Sequence, residues 1–148
     1  MGIDVSKSPA RPGFQLKPVY DSESDILAVG SDVQREWLYG IDIDGTVVFD
    51  LDAARRLANF DVLVGRRLWE RGSTRAWPSQ SPVGTLVFSQ EAIARKSFSM
   101  PIRCVYDEER RILSVTFGKD PVDELEMSQG CLALLAGSEL VGFLLRDF

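Results

Sequence analysis

The chain has 148 residues, 45% of them hydrophobic and 26% charged, with 17 Lys and Arg against 22 Asp and Glu. That is an ordinary globular composition for one domain, and no apolar run approaches the ~20 residues a membrane-spanning helix needs. The absence of histidine excludes Ser-His-Asp and Cys-His nucleophilic catalysis, imidazole general bases and every His-containing zinc site.

Residues 1–15, with Pro9, Pro12 and Gly13, read as a flexible leader without the apolar core of a secretory signal. Gly2 and Ser6 have the spacing of a myristoylation signal, a short pattern of low specificity. Residues 16–148 read as one co-folded domain of two related halves, about 16–60 and 101–148, joined by a strand-loop-strand-helix segment over 61–100. The relation between halves is carried by Val19-Tyr-Asp-Ser-Glu-Ser-Asp-Ile-Leu-Ala-Val29 and Val105-Tyr-Asp-Glu-Glu-Arg-Arg-Ile-Leu-Ser-Val115. The two align without a gap, and each predicts a β-hairpin around a polar turn whose leading Asp accepts backbone N–H groups.

A second hairpin is predicted in each half. In the first, Trp37-Leu-Tyr-Gly-Ile-Asp-Ile leads through Asp44-Gly45 into Thr46-Val-Val-Phe. Asp-Gly between β-rich runs is a strong hairpin signal because both turn positions accept positive φ. In the second, Cys131-Leu-Ala-Leu-Leu-Ala leads through Gly137-Ser138 into Leu140-Val-Gly-Phe-Leu-Leu. This pairing moves the offset between halves from 86 at Tyr20/Tyr106 to 93 at Val47/Leu140, and implies an insertion around Lys119 to Leu125. Two short helices are predicted, at Asp52 to Asn59 and at Gln90 to Ser97, capped by Asp50 or Asp52 and by Ser89. The expected fold class is therefore α+β: mostly antiparallel hairpins with two short helices and an internal pseudo-twofold duplication.

The Tyr20-Asp-Ser-Glu-Ser-Asp-Ile-Leu hairpin followed by Asp42-Ile-Asp-Gly-Thr-Val-Val resembles a small bacterial family of β-rich domains of unknown function. Tyr106-Asp-Glu-Glu-Arg-Arg-Ile-Leu and Leu140-Val-Gly-Phe fit the same pattern. The resemblance implies a tandem pair of that fold and carries no catalytic residue across.

Three groups of residues have candidate chemistry. Asp42-Ile-Asp44-Gly-Thr-Val is similar to the first motif of haloacid-dehalogenase-type phosphatases, in which the first Asp attacks phosphorus and the second is the acid/base, with Mg²⁺ neutralising charge. Hairpins in place of alternating parallel strands and helices, and Lys119, Asp120 and Asp123 crowded together, argue against it. Read as a calcium loop, the same motif fails at its twelfth position, which is Ala53. Residues 55–75 carry six Arg against Asp61 and Glu70, a net of +4, with Trp69 interleaved. Arg66, Arg67, Trp69 and Arg71 are the binding candidates, for nucleic acid or an acidic protein surface. A sequence pI near 4.8 disfavours nucleic acid. Cys104 and Cys131 sit in apolar stretches and read as buried free thiols.

The expected function is that of a non-enzymatic cytoplasmic bacterial protein acting by binding or self-association, with no cofactor. The alternatives are an Asp42/Asp44 phosphatase and an Arg/Trp surface for nucleic acid or an acidic protein. A homodimer is expected because Leu140 to Leu145 is apolar on both faces and needs cover on the second.

Overall fold

The computed structural model describes residues 2–31 and 37–148. In chain order its strands are β1 (Ile3–Ser8), β2 (Lys17–Asp21), β3 (Ile26–Gly30), β4 (Tyr39–Ile43), β5 (Val47–Leu51), β6 (Leu57–Val62), β7 (Glu70–Arg71), β8 (Thr85–Phe88), β9 (Ser97–Phe98), β10 (Ile102–Asp107), β11 (Ile112–Phe117), β12 (Asp123–Ser128), β13 (Cys131–Ala136) and β14 (Glu139–Leu145). One helix, α1 (Gln90–Arg95), and a 3₁₀ turn at Arg66–Leu68 complete it. With 51% strand and 6% helix the fold is nearly all β, which corrects the α+β expectation.

The correction falls on residues 52–59. The Asp52 carboxylate accepts the N–H groups of Ala54 and Arg56, both at 2.9 Å, and Arg55 turns left-handed at φ 66°. That closes a β-turn where a helix N-cap was expected, because a short Asp side chain bonds its own turn as readily as a helix start. Leu57 to Val62 then alternates inward and outward as β6. α1 forms where expected: Ser89 Oγ accepts the Ala92 N–H at 3.1 Å, and Lys96 at φ 64° ends the helix. The segment read as a flexible leader is also structured. Ile3 and Val5 are buried in β1, which pairs antiparallel with both β14 and β8.

One sheet runs β2-β3-β6-β5-β4-β9, the other β12-β13-β14-β11-β10-β7 with β1 and β8 appended at β14. Read from β2 and from β10, five strands follow the same path in each. Both paths shift register at the same step, between Asp50 and Leu51 in β5 and between Leu134 and Leu135 in β13. By strand order β4 therefore answers to β12, β5 to β13 and β6 to β14. The β4–β5 hairpin had been matched to β13–β14, one strand too far along. The offset between halves is 84 at Val47/Cys131 and 83 at Phe60/Phe143, and the counterpart of Asp42 is Glu126, not Leu135. Residues 119–125, read as an insertion, include the start of β12.

The sheets pack face to face over one core that includes Phe49, Phe60, Phe88, Phe117 and Phe143. Phe60 and Phe143, equivalent by strand order, stack on each other with centroids 4.2 Å apart. The opening turns also match. Asp21 accepts the Glu23 N–H and Asp107 the Arg110 N–H, and Asp25 and Arg111 both close their turns at φ 57°.

The second face of β14 is covered from within the chain. Ile112, Leu132, Leu134, Val141 and Leu144 form a buried cluster under Trp77, from the irregular segment 73–83. Thr74 ties one end of that segment to Asp107 Oδ2, and Pro82 accepts the Glu126 N–H at the other. The uncovered face that motivated a dimer is thus met by Trp77. Among the described residues no helix is long and apolar enough to cross a membrane.

Candidate functional site

Residues 64–75 cross the end of the sandwich where β2 and β10 finish. Trp69 fixes them there. Its ring sits between the two equivalent tyrosines, 6.1 Å from Tyr20 and 5.9 Å from Tyr106, and Phe148 packs edge-on at 6.0 Å. The indole N–H donates to the Val64 carbonyl at 3.0 Å, and the side chain is only 6% exposed. Trp69 is therefore a wedge between the halves, with no free face for a base to stack on.

Arg66 lies over this aromatic cluster, its guanidinium 5.4 Å from the Tyr20 centroid, 5.8 Å from Trp69 and 6.0 Å from Tyr106. Each contact is within cation–π reach. The Arg66 backbone N–H donates to Asp25 Oδ1 at 2.9 Å, and the Tyr20 hydroxyl donates to the same oxygen at 2.6 Å. Those two bonds, the Tyr20 hydroxyl first, hold the Asp25 carboxyl below its ordinary pKa, and the bond to Asp25 pushes the Tyr20 phenol up.

Arg71 pairs with Glu108 and lies 5.6 Å over the Tyr106 ring. Glu70 accepts from Arg103 Nε at 2.8 Å. Asp107 is held below its ordinary value by the Thr74 backbone N–H and then by that of Arg110. Of the six arginines in 55–75, Arg71 alone forms an ion pair among the described residues, with Glu108 of the β10–β11 turn. The tip of the 3₁₀ turn faces outward. Leu68 is 67% exposed, Arg66 and Arg67 precede it, and among the described residues neither Arg forms an ion pair.

Of the four binding candidates the structure brings Arg66 and Trp69 together, puts Arg71 on β7, and leaves Arg67 on the rim. Tyr20, Tyr106 and Asp25 complete the cluster. The two tyrosines were visible in sequence as the repeated Tyr-Asp, but their meeting on the Trp69 ring had no local signal. Phe148 and Leu68 had none either.

Asp42 and Asp44 are engaged in holding the β4–β5 turn and the strand beside it. Asp42 Oδ2 accepts the Gly45 N–H at 2.7 Å and the Ser97 hydroxyl at 3.2 Å. Asp44 Oδ2 accepts the Met100 N–H at 3.2 Å. Two open clefts, of about 300 and 280 Å³, lie elsewhere and are lined by neither carboxylate. Among the described residues no three His, Cys, Asp or Glu side chains are placed to hold a metal ion. Cys104 and Cys131 are buried free thiols; burial pushes Cys104 up to about 12 and Cys131 higher still.

No family model matches the chain, and no curated protein matches it.

Proposed function

We propose that the protein is a non-enzymatic binding module of the bacterial cytoplasm. It is built from two copies of one five-stranded unit and recognises an acidic surface on a partner protein through Arg66, Arg67 and Leu68. The observation that carries the reading is an exposed leucine that follows two arginines without an ion pair among the described residues, on a turn wedged in place by Trp69. An apolar anchor rimmed by charge and ordered in advance is the usual make-up of a binding hot spot. The shared strand path and the Phe60–Phe143 stack support the two-copy reading. Nucleic acid is the weaker partner: the rest of the chain is acidic, and the Trp69 ring is buried. An Asp42/Asp44 phosphatase has less support, because both carboxylates already accept structural hydrogen bonds.

Titration of the protein with an acidic amphipathic peptide and with a single-stranded oligonucleotide of equal charge tests the reading. The peptide is expected to bind and the oligonucleotide not. Combined Arg67→Ala and Leu68→Ala should weaken the peptide at least about tenfold, near 1.4 kcal/mol. A preference for the oligonucleotide would move the assignment to nucleic acid.

A further inference from the structure

Each five-stranded path has two edges, and three of the four are occupied within the chain. β9 runs parallel to β4, β7 runs parallel to β10, and Val83 bridges in parallel to Glu126 of β12. Among the described residues β2 has no partner on its outer side.

The two edges at issue are counterparts. β10 with β11 and β2 with β3 share the ungapped alignment, so Tyr20 stands where Tyr106 does and Lys17 where Arg103 does. At the filled edge, the Tyr106 carbonyl accepts the Gly72 N–H at 3.2 Å, Glu70 lies opposite Val105, and Arg103 reaches back to Glu70 at 2.8 Å.

The empty edge keeps the same elements. Pro18 has no N–H to give β3, which suits a position whose backbone faces outward, and Tyr20 two residues on faces the same way. Val19 is 54% exposed, and Lys17 makes no ion pair among the described residues. The cleft of about 300 Å³, lined by Lys17, Pro18, Gln129 and Asp147 among others, opens at the start of this edge.

We infer that β2 is the docking site for an extended peptide from a partner protein. The peptide adds in parallel as β7 adds to β10, with an acidic residue opposite Val19 to meet Lys17 as Glu70 meets Arg103. Main-chain bonds to Tyr20 supply the pairing and the carboxylate sets the register. Pro18 limits the edge to a short pairing, which keeps it from recruiting strands indiscriminately. This surface adjoins the Arg66 cluster at Tyr20, whose ring lies 5.4 Å from the Arg66 guanidinium, but the inference does not rest on that reading.

The probe is a synthetic peptide copying residues 67–74, the chain's own edge-filling segment, titrated into the isotope-labelled full chain. Saturable binding below about 1 mM is expected, with amide shifts centred on residues 17–21 and slowed exchange of the Tyr20 amide. Lys17→Glu, an exposed change, should weaken it about tenfold, and a peptide carrying Glu70→Lys should recover binding to that variant. No saturable binding, shifts centred elsewhere, or indifference to the charge swap would each overturn the inference. So would the same shifts appearing with protein concentration alone, which would make a second copy the occupant.

Discussion

Trp69 was singled out as a ligand-stacking residue, and its surroundings give it a different task. A ring between Tyr20 and Tyr106, with its N–H on Val64, has nothing left to offer a ligand. Its removal leaves a hole between the tyrosines of the two opening hairpins. Trp69→Ala is expected to cost about 3–5 kcal/mol in denaturant unfolding. Leu68→Ala, one residue away and exposed, should stay within about 0.5 kcal/mol. Equal effects would mean that Trp69 does not wedge the halves. The chemistry of Arg plus Trp was legible in the sequence, but whether the Trp faces in or out depends on two tyrosines 86 residues apart packing on either side of it.

At the scale of elements, the polar turns govern the response to acid. Asp25 and Asp107 are held below their ordinary pKa, so their contribution is complete above about pH 4, the unfolded value, and is lost as pH falls through the lower folded one. Asp50 on β5 and Asp61 on β6 behave oppositely. Burial raises both, so their ionised forms oppose folding at neutral pH and stability recovers as they protonate. Thermal unfolding followed against pH should therefore show a shallow gain on mild acidification before the loss below pH 4. Asp107→Asn should lower the neutral-pH midpoint and Asp61→Asn should raise it; the reverse signs would contradict these assignments. The β2–β3, β4–β5 and β10–β11 hairpins were readable because their turns carry Asp at fixed places beside alternating strands. β12 was missed because its Glu-Leu-Glu-Met alternation precedes a continuous apolar run, and such a run leaves strand register undetermined. The Asp52-Ala-Ala-Arg-Arg stretch misled in the other direction. Its helix propensity was overridden by one carboxylate and by the β5 edge beside it.

For the molecule as a whole, segment 73–83 covers the second face of the apolar last strand from within the chain. Trp77, with the Arg146 guanidinium 4.0 Å from its ring, closes the outer face of the second sheet. Trp77→Ala should expose that face, giving ANS fluorescence and concentration-dependent light scattering absent from the unaltered protein. A variant silent in both assays would show that something other than Trp77 provides the cover. The first strand has a consequence of its own. β1 pairs with β14 through Ile3 and Leu140, nearly the full chain apart. During synthesis at roughly 5–20 residues per second, β1 waits on the order of 10 s for β14. Val5 can meet Phe88 of β8 about 50 residues before Leu140 is made, so β1 is expected to close onto β8 first and to gain β14 last.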